Sequence, residues 1–249
     1  MSSATPSPAD RLAREIEHDL RIASRADEIW DWDSPAGRVR ADRRAGFFVE
    51  HAGLARGRRA IELGCGTGLF LERVARCGAA IVGVELSETL LAKAKGRVAH
   101  LANVTVERGD AHRLPHADSS VDAVYGSSIL HHLDLTRSLA EAHRVLRPGG
   151  RIAFTEPNIL NPQVAFLFLL APRERFGLSP DEMAFSRGRA ITALQSLGYV
   201  EVVVKPFDFL HPATPPAWIA AVSRLGERFE ATPGLSRIAG SLLIHARKG

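Results

Sequence analysis

Three glycines alternate with other residues in Ile61-Glu-Leu-Gly-Cys-Gly-Thr-Gly68, directly after an apolar stretch. Such a run predicts a strand ending in a loop stripped of side chains, where the backbone can approach a ligand closely. The spacing of Gly64, Gly66 and Gly68 is G-x-G-x-G, not the G-x-G-x-x-G of a turn that delivers a pyrophosphate to a helix N-terminus. Glu62 lies two residues before the first glycine. At the carboxyl end of a strand that acid repels phosphate and suits a cation, so the loop is read as the cradle of a positively charged ligand.

Two further acids follow short apolar runs. Ala80-Ile-Val-Gly-Val84 reads as a buried strand ending in Glu85, about twenty residues past the glycines, where a carboxylate accepts both hydrogens of a ribose diol. Val104-Thr-Val-Glu-Arg108 reads as a third strand leading into Gly109-Asp110-Ala111, with Asp110 placed to accept from an exocyclic amine. An adenosine is implied.

With Leu114-Pro115, Val121-Asp-Ala-Val-Tyr125 and Leu146-Arg-Pro-Gly-Gly150 added, these phrases, in this order, resemble the class I S-adenosylmethionine-dependent methyltransferases, of the small-molecule, methyltransferase type 11-like kind. The resemblance implies that Gly64, Gly66 and Gly68 lie along the methionine and ribose of the cofactor. It gives the ribose hydroxyls to Glu85, and the adenine amine to Asp110 with the Ala111 backbone. Arg44 stands where some of these enzymes hold the methionine carboxylate. The full set predicted to bind S-adenosylmethionine is Arg44, Glu62, Gly64, Gly66, Thr67, Gly68, Glu85, Leu86, Asp110, Ala111 and Ser127. A nicotinamide dehydrogenase shares the acid after strand two but has other glycine spacing, and leaves Glu62 and Gly109-Asp110 without a role.

The chain alternates between strand and helix patterns, which predicts a Rossmann-like α/β fold with helices on both faces of a parallel sheet. Strands are expected at 59–63, 80–84, 104–108, 121–125, 151–155, 200–204 and 240–246. Helices are expected at 9–26, 38–53, 69–76, 87–99 and 135–146, the last ended by Pro148-Gly-Gly150. The resemblance makes the seventh strand antiparallel, between the fifth and sixth. One domain, 1–249, is expected, with a helical cap part at 1–57, a cofactor-binding core at 58–155, and cap insertions at 156–186 and 206–238. The second insertion carries Thr214-Pro-Pro as a helix start, then Trp218, Val222, Leu225 and Phe229 at helical spacing.

A sulfonium methyl is already activated, so the protein has to align a nucleophile and exclude water. After strand four comes Gly126-Ser-Ser-Ile-Leu-His131-His132, which the resemblance places at the transferable methyl. An imidazole suits proton transfer near neutrality, and neighbours on a helix diverge by about 100°, so His131 is the first choice as base and His132 the second. Trp30, Trp32, Glu156 and Asn158 are predicted to contact substrate, with helix anchoring and loop capping as their ordinary alternatives.

Composition narrows the partners. A net charge of +4 permits anionic partners without demanding them, and the arginines between Arg38 and Arg59 read as a solvated helix face. The 2 cysteines, Cys65 and Cys77, make no disulfide framework, and no His/Cys cluster has metal-ligand spacing, so no metal is expected. The polar N-terminus is no signal peptide, and the apolar run 164–170 is far short of the roughly twenty residues that span a membrane. A cytoplasmic monomer or homodimer is expected. No Asn/Asp-Pro-Pro-aromatic signature or nucleic-acid module is visible, Asn161-Pro162-Gln163 departing from the former. The expected reaction is methyl transfer to an O, N or C nucleophile of a small, aromatic or apolar acceptor in bacterial secondary or cofactor metabolism. The alternative is a protein that binds the cofactor without methylating, such as a cyclase.

Overall fold

The computed structural model describes residues 31–171 and 182–249. Its strands are β1 (Arg59–Leu63), β2 (Ala80–Glu85), β3 (Val104–Arg108), β4 (Val121–Ser127), β5 (Leu146–Pro157), β6 (Tyr199–Phe207) and β7 (Ser241–Lys248). They form one sheet in the order β3-β2-β1-β4-β5-β7-β6. The first five are parallel, and β7 runs antiparallel to both its neighbours, as expected. The described helices are α1 (Pro35–His51), α2 (Leu69–Val74), α3 (Glu88–Val98), α4 (Leu135–Val145), α5 (Pro162–Leu169), α6 (Arg187–Ser196) and α7 (Ile219–Ala231).

Strand alternation divides the core. Val124 and Ile152 face a cluster that includes Leu139 of α4 and Leu194 of α6, while Ala123, Tyr125 and Ala153 face Phe48 of α1 and Phe70 and Leu71 of α2. Both faces of the central strands are therefore buried, which accounts for the near-continuous apolar runs in β1, β4 and β5. Parallel strands joined by helices bring the ends of β1 to β5 to one edge, where the ligand crevice of such a sheet lies.

Several boundaries differ from the sequence expectation for local reasons. Helix α1 starts a turn early because Ser34 caps it, accepting from Gly37 N at 2.9 Å, and Pro35 occupies its first turn. Pro148-Gly-Gly150 does not merely end α4. Strand β5 already begins at Leu146, paired with Val121, and an irregular register with Gly149 at φ 77° carries it into regular pairing at Arg151. Helix α6 was not expected at all. The helix expected at 9–26 lies outside the described residues.

The arginine-rich stretch is solvated at Arg38, Arg56, Arg58 and Arg59 but not at Arg40, Arg43 and Arg44. Arg44 is buried between the rings of Trp32 (5.1 Å) and Phe207 (5.2 Å), donating to Asp208 Oδ2 at 2.8 Å and Ser241 Oγ at 2.7 Å. Arg40 Nε joins it on Asp208 Oδ2 at 2.9 Å, and Arg43 makes a two-pronged pair with Glu230 of α7 at 2.7 and 2.6 Å. Consequently α7 turns its Gly226 and Glu230 inward and leaves Trp218, just ahead of it, and Leu225 exposed, so its apolar stripe does not meet the core as its spacing implied. Burial brings the Arg44 guanidinium down to about 10, still charged at neutral pH. Burial also opposes the Asp208 charge, yet Arg44 and Arg40 hold that carboxyl below the usual range. This clamp ties α1 to the ends of β6 and β7.

Asp208→Ala should therefore destabilise the protein by about 3–5 kcal/mol in chemical denaturation, because it leaves two arginines facing an emptied buried site. A depressed carboxyl contributes above the ordinary aspartate range and its contribution fades as pH falls through and below that range, so the variant should show the flatter acid limb. A loss under about 1 kcal/mol would mean the clamp is solvent-screened.

Candidate active site

The loop after β1 is shaped by packing and by a carboxylate. Gly64, Gly66 and Gly68 all have positive φ, at 60°, 54° and 81°. A Cβ on Gly64 would stand 2.3 Å from Ile129 Cδ1, and one on Gly68 3.1 Å from Ala94 Cα of α3. These two glycines thus serve close internal packing, not only ligand approach. Gly66 N donates to Glu85 Oε2 and Ser87 N to Glu85 Oε1, each at 2.9 Å. Two of the carboxylate's roughly four lone-pair sites are thereby used, and the others remain for a diol. Thr67 is held from α3, accepting from Arg97 Nη1 at 3.0 Å. Leu86, half-buried, follows Glu85.

Glu62 ends its strand almost fully buried, and its Oε2 has no hydrogen-bond partner among the described residues. Burial, reinforced by the nearby Glu85, pushes its carboxyl up to about 8. The Tyr125 hydroxyl, itself outside hydrogen-bond geometry with any partner, is the neighbouring group that moderates this. An unmatched buried carboxyl oxygen calls for a donor from outside the fold, and a cationic ligand supplies one. Cys65 in the same loop is a buried thiol whose pKa burial raises well above the ordinary value, so it is no nucleophile.

Asp110 sits past β3. Its Oδ1 accepts from His112 N at 2.8 Å and pairs with His112 Nδ1 at 2.9 Å, contacts that hold its carboxyl below the usual range. His112 Nε2 in turn accepts from Asp134 N at 3.0 Å, so the ring ties the β3 loop to the start of α4. Ala111 beside it is buried. At the end of β4, Ser127 Oγ meets Thr155 Oγ1 at 3.0 Å.

Ser128 then takes φ 53°, a conformation uncommon for a residue with a Cβ, fixed by its N–H donating to Thr155 O at 2.7 Å. It turns the chain into a short 3-10 segment, Leu130–His132. Glu156, at the end of β5, lies beneath this turn. Its Oε1 accepts from Ile129 N (2.9 Å) and Leu130 N (2.8 Å), and its Oε2 from His131 N (3.3 Å). The same Oε2 lies 2.8 Å from His131 Nδ1. An acceptor so engaged assigns the proton to Nδ1 and leaves the Nε2 lone pair of His131 on the side of Glu182, whose Oε2 lies 4.0 Å away. The His132 ring lies 4.2 Å from that of His131.

Four sequence assignments change. Glu156 is buried beneath the histidines and positions them; it does not line the crevice. Asn158 is also buried, donating to Arg237 O and Ala239 O at 2.9 and 2.8 Å to pin the approach to β7. Trp32 packs edge-on against Phe70 at 5.5 Å and over Arg44, so it anchors α1 and walls no substrate. Arg44 is spent on Asp208 and Ser241. Trp30 lies outside the described residues. Sequence reasoning missed Glu182, which approaches both histidines from the first insertion, at 4.0 Å from His131 Nε2 and 3.4 Å from His132 Nδ1.

Comparison with known proteins identifies the family. Residues 61–154 match the family model described as a methyltransferase domain. The 27-O-demethylrifamycin SV methyltransferase of Amycolatopsis mediterranei is 30% identical over 237 residues, 84% of this chain and 79% of that protein. The chain belongs to the class I S-adenosylmethionine-dependent methyltransferases. S-adenosylmethionine is accordingly its cofactor. An uncharacterised 37.1 kDa protein of transposon Tn4556 from Streptomyces fradiae is 33% identical over 164 residues, 62% of this chain, and the chain spans only 48% of its length. Among solved structures, the [4+2]-cyclase SpnF superposes with a TM-score of 0.66 over 99% of both chains at 20% identity, a likeness of fold alone.

If the orphaned Glu62 oxygen faces the positive charge of this methyltransferase's cofactor, binding should release a proton near pH 7. A carboxyl raised to about 8 is mostly protonated before binding, and a neighbouring cation favours its ionised form. Calorimetry in buffers of different ionisation enthalpy reads the proton directly. Glu62→Gln should abolish the release, and a wild type that releases none would remove Glu62 from the cofactor site.

Proposed function

We propose that this methyltransferase moves the methyl group of S-adenosylmethionine to an oxygen, nitrogen or carbon of a small molecule, with His131 receiving the acceptor's proton. The observation that carries this reading is the buried pair of His131 Nδ1 and Glu156 Oε2 at 2.8 Å, which fixes the imidazole and leaves Nε2 as its unprotonated nitrogen. The cofactor supplies an electrophilic methyl; the chain's task is to orient, dehydrate and deprotonate. Glu85 is assigned to the ribose, Asp110 and Ala111 to the adenine, Glu62 and the loop 64–68 to the methionine end, with Leu86 and Ser127 as neighbours.

A cavity of about 560 Å³ is lined in part by His131, with apolar walls from Leu133, Met183 and Phe185 and polar ones from Arg189 and Thr192. That size suits a drug-sized acceptor. A rifamycin relative that is by name a methyltransferase of a bacterial secondary metabolite supports the same class of substrate. The described residues of the segments 156–186 and 206–238 are assigned as the cover that keeps water from the methyl group. Among the described residues no helix is long and apolar enough to cross a membrane.

Incubation with methyl-labelled cofactor and an acceptor library, read by mass spectrometry, tests the activity. With an acceptor in hand, His131→Ala should lower turnover by about 10²-fold or more while cofactor affinity stays within a few-fold, since the imidazole acts only on the acceptor's proton. Turnover within a few-fold of wild type would leave catalysis to alignment alone. Conversion of an acceptor without gain of label would favour a cyclase-like chemistry.

A further inference from the structure

Two imidazoles and a carboxylate converge between the histidine turn and the segment ahead of α6. One nitrogen from each of His131 and His132 and one oxygen of Glu182 lie within 4.8 Å of one another. His132 Nδ1 lies 3.4 Å from Glu182 Oε1, and His131 Nε2 lies 4.0 Å from Glu182 Oε2. Bonds of about 2.0–2.2 Å in a tetrahedron set ligand atoms roughly 3.3–3.5 Å apart, so small side-chain rotations close the set. The surroundings are already built for such a load. Glu156 holds the far nitrogen of His131 at 2.8 Å, the carboxylate–histidine arrangement that orients a metal-bound imidazole. Met183 N donates to His131 O at 3.0 Å, which fixes the backbone beside Glu182 against the turn. Glu156 and Glu182 are both almost fully buried, at 1% and 2%, so two carboxylates share one desolvated pocket.

We propose that His131, His132 and Glu182 bind a divalent transition-metal ion, with at least one coordination position left open. Two imidazoles with one carboxylate suit zinc, cobalt, nickel or ferrous iron, whereas magnesium and calcium prefer all-oxygen sites. The consequence for turnover rests on the function proposed above: the ion occupies the Nε2 lone pair needed for proton transfer, so occupancy and catalysis exclude one another. Binding itself does not depend on that assignment.

The test uses the full chain, freed of metal by a chelator, with Zn²⁺ titrated in the calorimeter and Co²⁺ followed by its visible absorption. One ion per chain is expected, with a cobalt spectrum that zinc displaces. Glu182→Gln and His132→Ala should each weaken affinity tenfold or more, and an unchanged circular dichroism spectrum and cooperative melting show that the variants are folded. His132 is partly exposed, so His132→Ala carries the test if Glu182→Gln does not fold. Absence of binding to wild type, or equal binding by the variants, would overturn the proposal. Zinc bound at these residues without inhibition of turnover would uphold the site and instead remove His131 as the base.

Discussion

The hydrogen bond from the Gly66 N–H to Glu85 is the contact on which the crevice depends. One carboxylate, at the end of the second strand, fixes the tip of the glycine loop through one oxygen and the start of α3 through the other. The loop cannot form this bond without positive φ at Gly66, and it cannot lie close to the turn after β4 unless Gly64 lacks a side chain. Sequence, backbone and ligand geometry therefore meet in a single interaction worth about 1.5–3 kcal/mol.

The same logic recurs along the sheet edge. Glu62, Glu85, Glu156 and Glu182 are each no more than 6% exposed. Burying so many carboxyls is costly unless backbone donors, histidines or a cation offset it. Glu85 and Glu156 are matched by N–H groups, whereas Glu62 keeps an unmatched oxygen and a raised pKa. The fold thus gathers four buried carboxyls beside the glycine loop and the histidine turn. At the ends of β6 and β7 the signs are inverted, with Arg40 and Arg44 converging on Asp208.

Much of this was legible in the sequence because the phrases involved are local. A glycine loop after an apolar run, an acid at the next strand's end and a Ser87 cap are each set by neighbouring residues, and the mostly parallel sheet with its antiparallel seventh strand followed from alternation together with the family resemblance. Long-range partners were not legible. Nothing near Arg44 announces Asp208, 164 residues away, and a run of arginines reads the same whether solvated or clamped. Glu156 was found but misassigned, since its burial under the histidine turn depends on β4 and β5 lying side by side. Glu182 stands 50 positions after His132 in a segment without periodicity, so only the folded chain brings them together.

The central claim is that Glu85 both shapes the glycine loop and receives the cofactor's ribose. Calorimetric titration of wild type and Glu85→Ala with S-adenosylhomocysteine, the demethylated product, tests it most directly. A loss of about 1.5–3 kcal/mol, roughly 10- to 150-fold in affinity, is expected for a charged hydrogen-bond acceptor removed from loop and ligand together. Affinity unchanged in a folded Glu85→Ala protein would contradict the account.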